Sequence, residues 1–165
     1  MIFHLERRYK KLTYKGKWRF QFPEYASYEL KPENSENKEI GKIYELLKGN
    51  KASFFYQCDY TQIFIAAMAL GYINKNKTTL KKKSRSIPTK VFTFPEKWLM
   101  ISVAIEEEND LAILKEAQKI LNIAEEYANG GIYFLYGLFE EGHAIHPVET
   151  FEKYFRQELN RRLLE

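Results

Sequence analysis

Apolar positions along this chain change period several times, and each change marks an element. From Leu12 to Phe22 the period is two: Leu12 and Tyr14 precede Lys15-Gly16, and Trp18, Phe20 and Phe22 then alternate with Lys17, Arg19 and Gln21. Strict alternation around a glycine turn predicts a β-hairpin, its apolar face inward and Lys17 and Arg19 outward. Pro23 ends the second strand, because it lacks the N–H that a ladder needs. Tyr25, Tyr28 and Pro32 then read as an extended connection.

Beyond the polar run 32–38 the period becomes helical. Ile40, Ile43, Tyr44 and Leu47 share one face, and Gly49-Asn50 supplies the stop. Phe54 to Cys58 is a short aromatic run, either a strand or an entry segment. Asp59 with Gln62 forms a capping-box pattern, and the helix from Tyr60 to Leu70 is apolar nearly all round, which predicts burial, with Gly71 as its C-cap. Thr93-Phe94-Pro95-Glu96 is a second cap, opening a helix through Trp98, Leu99, Val103 and Ile105. Asp110 caps a third, in which Leu114, Ala117, Leu121, Ala124 and Ala128 recur at three and four residues.

Asn129-Gly130-Gly131 interrupts that pattern in one of two ways. Each glycine costs about 1 kcal/mol against alanine inside a helix, so one reading is a C-cap followed by a new segment, Ile132 to Phe139. The other is one long helix in which Ala128 and the glycines form a small-residue face for close backbone approach, with Ile123, Tyr127, Phe134 and Leu138 continuing the stripe. Pro147 opens a last helix with Phe151, Phe155, Leu159 and Leu163 on one face and Arg161-Arg162 in its final turn. There is no internal repeat and no low-complexity linker. The expected architecture is mainly α: a single helical domain, 1–165, with a short N-terminal β-hairpin. Residues 1–32 form the basic aromatic hairpin and connection, and 33–165 the helical core with a basic loop, 74–91.

Charge adds what periodicity does not. The net charge is only +4, but between Asp59 and Glu96 there is no acidic residue, while Lys75, Lys77, Lys81, Lys82, Lys83, Arg85 and Lys90 all fall there. Charges without local counterparts must face water, an acidic partner or a phosphate backbone. Their interleaving with Ser, Thr and Asn suits non-specific phosphate contact, which uses lysines, arginines and short hydroxyl or amide donors. A solvated surface loop is the plainer account of the same residues. Arg7, Arg8, Lys17 and Arg19 make a second cationic surface on the hairpin. Trp18, Phe20 and Phe22 are placed by their alternation on the core face, which favours packing over base stacking. Acids gather elsewhere, at Glu106 to Glu108 with Asp110, at Glu125-Glu126 and at Glu140-Glu141. Separated zones of opposite sign let a protein meet nucleic acid with one face and a protein with another.

Catalytic chemistry finds little support. Cys58 is alone, so it makes no internal disulfide, and the adjacent Asp59 opposes thiolate formation; a buried structural cysteine in a reducing cytoplasm is expected. His143 and His146 form H-x-x-H beside Glu140 and Glu141, but Gly142 and Pro147 place them in a connector, and no third strong ligand is near. The acids 106–110 read as a solvated helix junction rather than a cation site. Neither a phosphate-cradling G-x-x-x-x-G-K-[ST] nor a G-x-S-x-G is present. No enzyme activity, metal or cofactor is expected, and no stretch of about 18 apolar residues exists to cross a membrane.

One set of short motifs goes further. Asp59, Phe64-Ile65-Ala66-Ala67, Leu70-Gly71-Tyr72, Lys75 and Lys77, Ile87-Pro88 and Phe92 are followed by Glu125-Glu126-Tyr127-Ala128-Asn129-Gly130-Gly131 with Leu135. Over Phe54 to Leu135 this resembles the dnd-system-associated proteins encoded beside DNA phosphorothioation genes, the family numbered as its fourth member. The Glu-Tyr-Ala-Asn-Gly-Gly box is its most specific part. The resemblance implies a mostly helical protein in a prokaryotic host-defence or DNA-modification locus, acting beside partner ATPases or nucleases, with no catalytic residues to carry over. Similar small helical subunits occur in antiphage systems built on SMC-like ATPases. Two functions follow as expectations. One is a non-catalytic accessory subunit that contacts DNA through the basic block, with Tyr127, Asn129, Gly130 and Gly131 as a packing element near a partner interface. The other is a pure protein-interaction subunit with no DNA contact.

Overall fold

The computed structural model describes residues 25–29, 40–80, 83–140, 156–157 and 160–161. Its elements are β1 (Tyr25–Glu29), α1 (Ile40–Gly49), α2 (Tyr60–Ile73), β2 (Lys83–Pro88), α3 (Phe94–Glu108) and α4 (Ala117–Glu140), with short 3-10 turns at Thr89–Val91 and Leu111–Lys115. The protein is mainly helical. The expected hairpin at residues 12–22, with Arg7, Arg8, Lys17 and Arg19, lies outside the described residues. So do His143, His146 and most of the last predicted helix, of which residues 156–157 and 160–161 are helical.

The core forms around α4, whose buried side chains run from Ile120 to Tyr136 and which packs on α2, α3, α1 and β1. α1 contributes Ile40, Ile43, Tyr44 and Leu47 to it, the stripe that its spacing predicts. α2 is the apolar helix expected after Asp59, and that residue forms its capping box with Gln62. It runs two residues further than Gly71, to Ile73, and Gly71 is buried inside it rather than capping it. Thr93 and Glu96 likewise form the capping box of α3.

At Asn129-Gly130-Gly131 the chain does not break: α4 is one helix of 24 residues. Contact with α2 and its exit loop accounts for the glycines. A methyl group on Gly131 would overlap the carbonyl oxygen of Ala67, and one on Gly130 would overlap that of Asn76. Glycine here lets two backbones touch, and the packing gained outweighs the roughly 1 kcal/mol per glycine lost in helix propensity. α4 begins later than expected, because Asp110 caps the 3-10 turn instead, accepting from the Ala112 N–H, so that Leu114 lies outside the long helix and is exposed.

The segment 74–91 is not a loop throughout. β2 lies within it and pairs antiparallel with β1, setting Ala26 opposite Ile87 and Tyr28 opposite Arg85. Ala26 and Ile87 are both buried, so one face of the ribbon belongs to the core. A two-stranded ribbon is marginal alone; packing of β1 on α4 supports this one. The strand that completes β2 comes from the far end of the chain, which no local pattern within 74–91 announces.

Candidate nucleic-acid interface

The basic block starts where α2 ends, and the helix ends in a Schellman motif. The Asn76 N–H donates to the Gly71 carbonyl at 2.8 Å and the Lys75 N–H to that of Tyr72 at 3.1 Å. That geometry needs a left-handed residue at position 75, ordinarily glycine, yet the residue is Lys75 at φ 52. Its side chain is exposed.

Four polar contacts then tie residues 76–78 to α4. Asn76 Nδ2 donates to the Gly130 carbonyl at 3.0 Å, the Thr78 N–H to that of Glu126 at 3.1 Å, and Asn129 Nδ2 to that of Thr78 at 3.2 Å. Lys77 makes the fourth: its ammonium lies 2.9 Å from Glu107 Oε1 and 3.5 Å from Glu126 Oε2, and 5.8 Å from the centre of the Tyr127 ring. The Tyr127 hydroxyl donates to the other oxygen of Glu107, while its ring meets Tyr72 edge to face at 5.6 Å. One carboxylate thus joins α3, α4 and the block.

Protonation follows from these contacts. Burial works against the Lys77 charge, but the hydrogen bond and negative charge of Glu107, with Glu126 behind it, raise the ammonium above its ordinary pKa. The hydrogen bonds from Tyr127 and then Lys77 hold Glu107 below the usual carboxylate range, against burial. Burial and the bond to Glu107 push the Tyr127 phenol well up. At neutral pH the cluster is cation, anion and neutral phenol.

This sorts the predicted residues. Lys75 and Lys90 are exposed, the latter on the 3-10 turn after β2. Lys77, expected among the phosphate contacts, is exposed but paired with the carboxylates of Glu107 and Glu126. Lys83 and Arg85 stand on β2, with Arg85 opposite Tyr28 in the register, and Lys81 and Lys82 lie outside the described residues. Tyr127, Asn129, Gly130 and Gly131, expected near a partner interface, are buried, the glycines against Ala67 and Asn76 and the other two bonded to Glu107 and Thr78. Glu107 belongs to this group without any mark of it in the sequence: nothing in its acidic run distinguishes it from Glu106 or Glu108. Cys58 is partly buried, and its backbone carbonyl accepts from Lys48 Nζ at 2.9 Å. Among the described residues no group of three His, Cys, Asp or Glu side chains is placed to hold a metal ion, and no helix is long and apolar enough to cross a membrane.

These features define a small helical protein in which a cationic segment is braced across a long central helix. The chain belongs to the DNA sulphur modification system-associated protein 4 family, whose profile matches residues 36–158. The match extends on both sides of Phe54–Leu135, reaching α1 and part of the last predicted helix, while β1 lies outside it. No curated protein and no solved structure matches the chain.

Proposed function

We propose that this protein is a non-catalytic accessory subunit of a prokaryotic antiphage-defence or DNA-modification complex, working in the cytoplasm and binding DNA phosphates without regard to sequence. Lys75, Lys81, Lys82, Lys83, Arg85 and Lys90 meet the phosphates, Arg7, Arg8, Lys17 and Arg19 add a second surface, and Lys77 holds the block in place. The observation that carries this reading is the anchoring of an acid-free block at both ends, on α4 through Asn76 and Thr78 and on β1 through the β2 ladder. An anchored block offers its cations at a defined place, at less entropic cost on binding than a floating tail. Membership of the family supplies the setting, a DNA sulphur modification system.

The test is the salt dependence of binding to a duplex of arbitrary sequence. Log affinity should fall linearly with log salt, and Lys81→Ala, Lys82→Ala and Lys83→Ala together should flatten the slope by about 0.9 for each phosphate that is no longer neutralised. A slope unchanged in the triple variant removes the block from the interface.

A second reading, a protein-only subunit, draws on Lys77, whose partners are carboxylates. An acidic partner surface would satisfy the neighbouring lysines in the same way. Co-purification of partners before and after nuclease treatment separates the two, because a bridging nucleic acid is destroyed and a protein contact survives.

A further inference from the structure

α3 has two apolar sides, and only one is buried. Met100, Ile101, Val103 and Ala104 face the core, while Phe94 is 69% exposed, Trp98 49% and Leu99 45%, with Val91 just ahead of the helix at 51%. Phe94 and Trp98 stand one turn apart with rings edge to face at 5.7 Å, and Ser102 follows, exposed, its hydroxyl donating to the Trp98 carbonyl at 2.8 Å. A Phe-Trp pair fixed in place at a helix surface has the composition of an interface anchor rather than of a solvated face.

The charges around this face are graded along the helix. At the C-terminal end Glu107 is taken by Lys77 and Tyr127, and Glu108 by Lys119. Glu106, one turn beyond Ser102, has no ion pair among the described residues. At the opposite end Lys90 and Lys97 have none either, and the acid beside them, Glu96, is turned back to accept from the Thr93 N–H and hydroxyl at the helix cap. A surface with cations at one end, an anion at the other and apolar bulk between is complementary to itself turned end for end.

We propose that this face is a self-association surface, on which α3 packs antiparallel against α3 of a second copy of the chain across a twofold axis at Trp98. Isologous contacts require such self-complementarity. With the axis at Trp98, the two indoles meet, a position four residues before it faces one four residues after it, and large Phe94 therefore opposes small Ser102. The Lys90 end of each chain comes to the Glu106 end of the other. Nucleic acid is a poorer occupant, since it would meet Glu106 and gain no stacking from Val91 or Leu99.

Sedimentation velocity of the full chain over about 1–100 µM, the range suited to a small interface, should show a concentration-dependent shift from 19.7 kDa toward twice that mass. Trp98→Glu should be monomeric throughout with an unchanged far-ultraviolet circular dichroism spectrum. Glu106→Lys should weaken association about fivefold, and adding Lys90→Glu should restore it. A wild-type monomer over the whole range overturns the proposal and leaves the face to another molecule. So does a dimer that survives Trp98→Glu in a folded protein. If that variant does not fold, the charge-reversal pair decides: a dimer indifferent to Glu106→Lys overturns the proposal equally.

Discussion

Lys77 and Glu107 lie 30 residues apart in sequence, and their charged atoms meet at 2.9 Å. The bond joins Lys77, which is paired with carboxylates of the protein itself, to the helix that follows the block. A bracing role for Lys77 separates from phosphate contact by experiment. Lys77→Met should lower stability by about 1 kcal/mol in urea unfolding, since the ion pair is only partly screened and Tyr127 loses a cationic neighbour. It should leave the salt slope of DNA binding close to wild type. A slope reduced as far as in Lys75→Ala would return Lys77 to the phosphate contacts.

Lys75 makes the opposite case. At φ 52 it occupies a conformation that glycine adopts at no steric cost. Lys75→Gly should therefore raise stability, by at most about 1 kcal/mol because glycine also frees the unfolded chain, while lowering DNA affinity through removal of the charge. Stability and binding moving in opposite directions would mean that the lysine is kept for its charge. Affinity unchanged alongside higher stability would remove Lys75 from the binding surface.

Which features can be foreseen follows from the distance over which each is decided. Asp59 with Gln62 and Thr93 with Glu96 are decided within one turn, and both capping boxes form as their spacing indicates. Trp98 and Leu99 fit the helical pattern of α3 as well as Val103 does, yet both are exposed. Because α3 is apolar on both sides, periodicity finds the helix but not which side is buried. The pairing of β1 with β2 and the contact of Gly131 with Ala67 join segments that are remote in sequence, and neither carries a local mark of its partner. The cationic block is visible as composition, yet its seven basic residues look alike in sequence. Only the fold sets Lys77 apart, because only the fold brings Glu107 and Glu126 to it.

Two glycines of the same helix should respond oppositely to alanine. At Gly131 the added methyl overlaps the Ala67 carbonyl, a backbone atom inside the α2–α4 contact that no rotamer change can move aside. Gly131→Ala should cost about 3 kcal/mol or more, read as a lower midpoint in thermal or urea unfolding. At Gly137 a methyl has nothing within 4 Å, so Gly137→Ala should gain up to about 1 kcal/mol from helix propensity alone. Equal effects at the two positions would mean that α2 and α4 are not in backbone contact there.

The Lys77–Glu107–Tyr127 group also gives stability a dependence on pH with opposite signs at its two limits. Glu107 is depressed in the folded state, so its contribution is complete above the ordinary carboxylate range and is lost as pH falls through the folded value. Lys77 and Tyr127 are both raised, so theirs is complete below their ordinary values near 10 and is lost as pH rises beyond them. Between about pH 5 and pH 9 the group should add no slope. Urea unfolding of wild type and Glu107→Gln compared across pH isolates the acid limb, because the amide does not titrate. The advantage of the wild type should be constant near neutrality and shrink as pH falls below about 4.5, where the unfolded carboxylate takes up its proton first. A difference that stays constant down to about pH 3 would mean that Glu107 is not held ionised by Tyr127 and Lys77, and that the brace depends on the amide contacts of Asn76 and Asn129 instead.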